Sequence, residues 1–452
     1  MTKVITYGTY DLLHYGHLRL LERAKELGDY LIVGVTTDDF DKSRGKINVQ
    51  QSFMERMEAV RATGLADEII AEEYEGQKID DIQRYGVDIF TVGSDWAGKF
   101  DYLNEYCKVV YLERTEGISS SKIRAEKSPL RMGLVGNPAI SGKYYKESLA
   151  VNGLDVIATY NINIPERTVS LLPESIPQLD SYDKLLAMCD AVYFASHPNM
   201  HYDQIKHALL NNKHVLCEAP ISLNPSDSKA LFELAAERNL ILMEAIKTAY
   251  STAYNRLLLL VKSGTIGEIV SIETTCTSLM DTNQLTTDQI PLTQNSICAW
   301  GPTALLPILQ ILGTNYESIH FTTNFADPGK TFDLFTKMDI HYSNAVASAK
   351  VGKGVKSEGE MIISGTKGYI FVPAPWWKMD YFEIRYEDTA NNRRYFYQLD
   401  GEGIRYELVA FLRSIEKRKS ASYITQEISE AIAKIIESFN QKNNLHEINI
   451  KY

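Results

Sequence analysis

Two histidines three residues apart stand at the mouth of a helix in the stretch "YGTYDLLHYGHLRLLERAKELGD", Tyr7 to Asp29. Backbone N–H groups at such a place are unpaired and the helix dipole favours anions. Gly8 and Gly16 would let a bulky phosphate approach the backbone. His14 and His17 can point at it together, and imidazole donors stabilise the charge that builds on phosphoryl oxygens during transfer. The same pair is also compatible with a solvated helix end. A second stretch narrows the choice. "RTEGISSSKI", Arg114 to Ile123, sets an arginine, a glycine and three serines where a strand meets a helix. Its hydroxyls, its amides and the Arg114 guanidinium make another anion cradle. Two cradles on one small α/β domain suit a nucleoside triphosphate.

The elements that must position these groups follow from hydrophobic periodicity. "KVITYGTYD" reads as a buried strand closing on Gly8. In "HLRLLERAKELGD", Leu18, Leu20, Leu21, Ala24 and Leu27 mark an apolar helical face, with Gly28 as a stop. "YLIVGVTTDD", "DEIIAEEY", "VDIFTVGSD" and "CKVVYLERT" supply further strands with helical text between them, the pattern of a parallel sheet. The rhythm restarts after a polar hinge near Lys127, with "RMGLVGNPAIS", "LDVIATYN", "CDAVYFASHPN" and "KHVLCEAP". From about Ser251 the text carries long strands, "GEIVSIETTCTSLM", "KMDIHYSNAVASAKV" and "EGEMIISGTKGYIFV". A helix at "ALLPILQILG" and a closing helix at "ITQEISEAIAKIIESFNQK" accompany them. The expected organisation is three α/β domains, 1–128, 129–250 and 251–452.

Length and composition agree. The chain has 452 residues, 44% hydrophobic and 23% charged, beyond a single-domain length. A net charge of −11 argues against a nucleic-acid binder. Five scattered cysteines with no CxxC pair suggest neither a zinc site nor a disulfide framework, so no protein-held metal site is expected. The start "MTKVITYGTYD" does not read as a signal peptide and no apolar run reaches membrane-span length, so a cytoplasmic location is expected.

Residues 1–125 closely resemble the glycerol-3-phosphate cytidylyltransferase family, of the HxGH nucleotidylyltransferase superfamily. The resemblance is carried by "VITYGTYDLLHYGHLRLLERAKELGDYL", "GSDWAGKFDYL" and "VVYLERTEGISSSKI". It implies a Rossmann-like fold, CTP and a small polyol phosphate as substrates, Mg²⁺, and a CDP-polyol product for teichoic-acid-like or capsular polymer synthesis. By the same resemblance Thr9 and Tyr10 contact CTP, and His14 and His17 stabilise the pentacoordinate phosphorus. Lys46 meets the triphosphate. Arg114, Thr115, Glu116, Gly117, Ile118, Ser119, Ser120 and Ser121 hold the nucleotide and the leaving pyrophosphate. Lys78 binds the phosphorylated alcohol. Asp11 and Asp95 are candidates for Mg²⁺ or ribose contacts, with a capping role for Asp11 as the alternative. Arg44 stands where the family has a lysine, and one residue is inserted near Val49 to Ser52; both bear on the acceptor pocket.

Residues 131–452 resemble the Gfo/Idh/MocA oxidoreductase family, through "CDAVYFASHPNMHYDQIKHALLNNKHVLCEAPISLN", "ILMEAIKTAYSTAYNRLLLLVKSGTIGEI" and "ISGTKGYIFVPAPWW". That implies a Rossmann half followed by a large open sheet that packs subunits together, hence a homodimer or tetramer. Gly136, Glu218 and Pro220 fall where the family meets NAD(P). The turn "GNPAIS" departs from the dinucleotide pattern, because Pro138 and Ser141 replace its second and third glycines. The next strand ends in Tyr160 and Asn161, with no carboxylate for a ribose. Ala219 stands for the family's lysine, and Pro307 and Ile311 for its Asp and His. Carbonyl reduction needs a proton as well as a hydride. His197, His201, Lys247 and Tyr250 are the neighbouring groups that could supply one. A helix-surface position is expected for Lys247, and core or interface packing for Trp376 and Trp377. The expectation is a cytidylyltransferase fused to a region that no longer performs hydride transfer. The alternative is a bifunctional enzyme that also reduces the polyol precursor.

Overall fold

A computed structural model describes residues 1–43, 46–74, 76–113, 129–161, 172–281, 294–397 and 399–450. The chain divides into two compact units, Met1–Pro129 and Leu130–Tyr452.

The first unit is a five-stranded parallel sheet. Its strands are β1 (Lys3–Gly8), β2 (Tyr30–Thr36), β3 (Glu68–Glu72), β4 (Ile89–Gly93) and β5 (Lys108–Leu112), in the order β3-β2-β1-β4-β5. Helices α1 (Tyr15–Lys25), α2 (Asp38–Ser43), α3 (Phe53–Ala62) and α4 (Gln77–Tyr85) join them. β1 is buried continuously from Val4 to Tyr7 because both of its faces are covered. Val4 joins a core with Leu21, Ala24, Val33 and Val60 on one side, and Ile5 joins Ile32, Ile82, Phe90 and Leu103 on the other. Strand order reverses beside β1, so a crevice opens beyond the carboxyl ends of β1 and β4, the usual ligand position in such sheets.

The second unit begins with another five-stranded parallel sheet, in the order β10-β9-β8-β6-β7. It comprises β6 (Leu130–Gly136), β7 (Leu154–Tyr160), β8 (Ala191–Ala195), β9 (His214–Glu218) and β10 (Leu242–Ala245). Helices α5 (Pro138–Ser148), α6 (Tyr182–Met188), α7 (His201–Leu210) and α8 (Pro225–Glu237) cross between its strands, and α9 (Thr252–Lys262) leads out of it. A nine-stranded mixed sheet follows, ordered β18-β17-β16-β15-β11-β14-β13-β12-β19. It runs from β11 (Ile269–Thr277) through β12 (Ser318–Phe325), β13 (Asp333–His341), β14 (Val346–Gly352), β15 (Met361–Gly365), β16 (Tyr369–Val372), β17 (Tyr381–Arg385) and β18 (Arg393–Phe396) to β19 (Leu445–Glu447). Helix α10 (Ser296–Leu312) covers one face, where Thr274 Oγ1 donates to Ala304 O at 2.9 Å. The other face is open and concave, a hollow of about 690 Å³ edged by Glu273, His320, Lys337, Asp339, His341 and Lys350. Helices α11 (Ile404–Lys417) and α12 (Gln426–Asn440) complete the unit. Among the described residues no helix is long and apolar enough to cross a membrane.

Three sequence expectations change here. "KMDIHYSNAVASAKV" is not one strand but the hairpin β13–β14, turning at Tyr342 to Ala345. "EGEMIISGTKGYIFV" is likewise the hairpin β15–β16, turning at Thr366 to Gly368. The Ser-Asn and Gly-Thr-Lys-Gly turn residues inside those runs break the strands. Helix α10 starts at Ser296, earlier than its apolar core suggests, because Asn295 caps it by accepting from Cys298 N. Pro302 and Pro307 lie inside it, tolerated where the helix is buried.

Candidate functional site

In the first unit the end of β1 and the start of α1 form one tight corner. Tyr10 and Leu12 take left-handed backbone angles, φ 54° and 50°, an arrangement that costs energy and clusters at functional sites. Tyr10 is buried, and its ring lies so close over Gly8 that a Cβ there would sit 3.0 Å from it. His14 is the N-cap of α1, its Nδ1 accepting from Gly16 N at 3.1 Å. His17 N and Leu18 N donate to His14 O. The first-turn amides are therefore largely occupied, contrary to the sequence expectation, and an anion would meet imidazole rings instead of bare N–H groups. Because Nδ1 of His14 accepts, the proton of its neutral ring is on Nε2. The two rings stack at 3.8 Å between centroids, 18° from parallel, and Tyr10 packs edge-on against His17 at 5.5 Å. Burial, then the neighbouring His14 and Lys46, push the His17 imidazole down to about 3, so it is neutral at physiological pH. Its Nδ1 is buried and lacks a hydrogen-bond partner among the described residues, a position that invites an explanation.

Lys46 closes the other side. Its Nζ donates to Thr9 Oγ1 at 2.8 Å, and Thr9 Oγ1 donates to Asp41 Oδ1 at 2.8 Å. Beneath them lies Arg56, which the sequence reading missed. Its fully buried guanidinium reaches Thr9 O at 2.6 Å, Thr36 O at 2.7 Å, Asp38 Oδ1 at 2.6 Å and Gln51 O at 3.2 Å. One side chain thus ties the end of β1, the end of β2, α2 and the start of α3 together. The signal was available: Arg56 shares the buried face of α3 with Val60, a charged residue on an apolar stripe.

The structure therefore brings Thr9, Tyr10, His14, His17 and Lys46 together. Asp11 is placed differently from the expectation: it is buried and its Oδ1 accepts from Gln50 N and Gln51 N, pinning that loop, while His14 caps α1. Asp95 is exposed just beyond β4. Lys78 is paired with buried Glu72, which also accepts from Thr36 Oγ1, and it lies over the rings of Tyr7 and Phe100. Arg44 and Arg114 to Ser121 lie outside the described residues. Among the described residues no group of three or more metal-ligating side chains gathers, so they build no cage for Mg²⁺.

The second unit has the same kind of corner with different contents. Gly136 has φ 112°, and a Cβ there would meet Ala195 and Ser196 backbone at 2.4 Å, so only glycine lets the turn lie against β8. Pro138 opens α5 without an N–H, and Ala139 N donates to Asn137 Oδ1 at 2.9 Å. With those two donors gone, the turn fits a dinucleotide pyrophosphate poorly. His201 is buried with its ring between the carbonyls of Pro220 and Ser196, at 2.8 and 3.1 Å, and burial pushes its imidazole down to about 4. It is a fastener of the loop after β9, not an exposed acid. Glu218 Oε1 accepts from Tyr193 at 2.5 Å, Tyr193 stacks on Tyr144 at 3.6 Å, and Tyr144 donates to Glu407 at 2.6 Å. Burial raises both carboxyls, Glu407 to about 8. Lys247 is not a helix-surface lysine: it is part-buried and pairs with Glu402 at 3.2 Å. Tyr250 bonds Ser422, and Trp376 is buried with its Nε1 on Thr275 O. Pro307 lies in the core.

Comparison with known proteins divides the chain at the same place. The cytidylyltransferase-like family matches residues 5–126, and the oxidoreductase family with an NAD-binding Rossmann fold, Gfo/Idh/MocA, matches residues 130–246. Glycerol-3-phosphate cytidylyltransferase of Bacillus spizizenii is 52% identical over 130 residues, 29% of this chain and 100% of that protein. The Staphylococcus aureus protein of that name is 49% identical over 126 residues, 28% of this chain and 95% of its own length. In structure, KijD10, a 3-ketoreductase from Actinomadura kijaniata solved with NADP and TDP-benzene, aligns with TM-score 0.60 and 17% identity over 72% of this chain and 100% of its own. UDP-N-acetylglucosamine 3-dehydrogenase GnnA from Acidithiobacillus ferrooxidans aligns with TM-score 0.54 and 19% identity, covering 68% and 95%. At such identities the likeness is one of fold. Through a first unit that spans whole relatives at about half identity, the chain belongs to the cytidylyltransferase-like family, and it continues into a Gfo/Idh/MocA-type oxidoreductase fold.

Proposed function

We propose that the first unit transfers CMP from CTP to a small polyol phosphate, glycerol 3-phosphate or a close analogue, releasing pyrophosphate. The observation that carries this is the stacked, half-buried His14–His17 pair at the crevice of a domain similar over its full length to glycerol-3-phosphate cytidylyltransferases. An oxygen of the acceptor phosphate bonds to the α-phosphorus of CTP as the bond to the β-phosphate oxygen breaks. No proton need be removed from an ionised phosphate, so catalysis is positioning and charge stabilisation. The His14 Nε2–H and the His17 ring serve as donors to the phosphoryl oxygens. Lys46 meets the triphosphate from the Thr9 side, with Arg114 to Ser121 as its further partners. Lys78 and Arg44 attend the acceptor. The CDP-polyol would feed synthesis of a teichoic-acid-like or capsular polymer.

The second unit we read as an assembly or ligand-binding partner without hydride transfer, because Pro138 and the Asn137 cap occupy the corner where a dinucleotide would sit. Its open sheet face is the surface for a homodimer or tetramer. The test of the main proposal is pyrophosphate release from CTP with a panel of polyol phosphates. CTP should exceed ATP as donor, and His17→Ala should lower turnover roughly 10²-fold or more. Near-normal turnover of a folded His17→Ala protein would refute it.

A further inference from the structure

Three segments of the second unit converge beyond the carboxyl edge of β10. The first is Lys247–Thr248, the second Trp377–Lys378, and the third the turn around Glu402. Lys247 and Lys378 both reach Glu402 Oε2, at 3.2 and 2.5 Å. Thr248 Oγ1 donates to Trp377 O at 3.0 Å, which fixes one lysine's segment to the other's. The turn is held as firmly. Gly401 has φ 59°, and a Cβ there would strike Glu147 and Arg405, whose ion pair docks the turn on α5. None of the three charged groups is sealed off: their side chains are 27%, 34% and 36% exposed for Lys247, Lys378 and Glu402.

Two ammonium groups share this one carboxylate oxygen. Glu218 and Glu407, the other carboxyls that Lys247 acts on, accept from Tyr193 and Tyr144, and burial raises both toward the protonated form. Beside Lys378, Trp377 lies 5.0 Å from Trp300, whose Nε1 donates to Ser278 Oγ, so an aromatic wall adjoins the charge. We propose that Lys247 and Lys378 form an anion-binding subsite for the phosphoryl group of a small phosphorylated ligand. Glu402 fills that subsite as an internal counter-ion in the free protein. Compact ammonium groups suit a phosphate oxygen, and the site lies at the carboxyl end of the parallel sheet, beyond its edge strand β10. Trp300 and Trp377 would face the ligand's carbon skeleton.

The four tryptophans make a test possible in the full chain. With Trp96→Phe, those remaining all belong to the second unit. Their fluorescence is titrated with inorganic phosphate and, separately, glycerol 3-phosphate. A saturable change is expected with both in the millimolar range or tighter, with glycerol 3-phosphate stronger if the aromatic wall takes the skeleton. Glu402→Gln should tighten binding about 10-fold, a shift of ~1.4 kcal/mol. Lys378→Ala should abolish it and Lys378→Arg retain it, with near-UV circular dichroism confirming the fold. No saturable change in either the parent or Glu402→Gln, or a response that persists unchanged in both Lys247→Ala and Lys378→Ala, would overturn the proposal. The readout involves no CTP, so its failure is distinct from failure of the transfer reaction.

Discussion

The corner after β1 and the corner after β6 occupy equivalent places in two parallel sheets, yet they are furnished in opposite ways. In each, a capping side chain takes a first-turn amide. After β1 the cap is His14, an imidazole that stacks on the ring of His17. After β6 the cap is Asn137, followed by a proline. A parallel sheet supplies a crevice in both cases, but ligand competence depends on what remains after the helix has satisfied its own donors.

Three experiments would break or sharpen that contrast. The largest effect is expected at Arg56. Arg56→Ala leaves Asp38 and Asp41 without their buried cation and should destabilise the first unit by about 3–5 kcal/mol, read as a lower denaturation midpoint. Arg56→Lys keeps the charge without the fork. It should retain more stability but lose turnover, because Thr9 and the Lys46 segment are no longer co-registered. Full activity in Arg56→Lys would show that the corner does not depend on this tie.

The second concerns pH. The Glu407 carboxyl rises from 4.5 to about 8 on folding, through burial. Folding therefore favours its protonated form, and that stability is present in acid and lost as pH rises toward about 8. Glu407→Gln removes the dependence. Its melting temperature should gain on the parent's between pH 5 and pH 9, and parallel curves would contradict the assignment. The smallest effect is expected at the corner after β6. Asn137→Ala frees the Ala139 N–H and should cost about 1 kcal/mol of stability. NADH oxidation should not appear, since Pro138 still lacks a donor; its appearance would erase the contrast.

Much of this was legible in the sequence. Buried runs gave the two parallel sheets, and His14, Gly16 and His17 announced their corner by residue type and spacing. Pro138 announced the other corner by the same means. What could not be read were relations between distant residues. The pairing of Lys247 with Glu402 spans 155 residues, and nothing in "MEAIKTAY" foretells it. The hub role of Arg56 depends on four segments meeting. Two hairpins were read as single strands because their turns sit inside strongly β-prone text, where local propensity outweighed Ser, Asn and Gly.

Helix α11 also bears on how the protein can be taken apart. It follows eight of the nine strands of the mixed sheet in sequence, yet its first turn is held from the other side, Tyr144 on Glu407 and Glu147 on Arg405. A fragment ending near residue 250 would strip Tyr144 and Glu147 of those partners and uncover the tyrosine stack beneath them. The Rossmann half is therefore a poor candidate for separate expression, domain grafting or exchange with a relative's. A cut near residue 129, at the boundary between the two compact units, severs none of these ties.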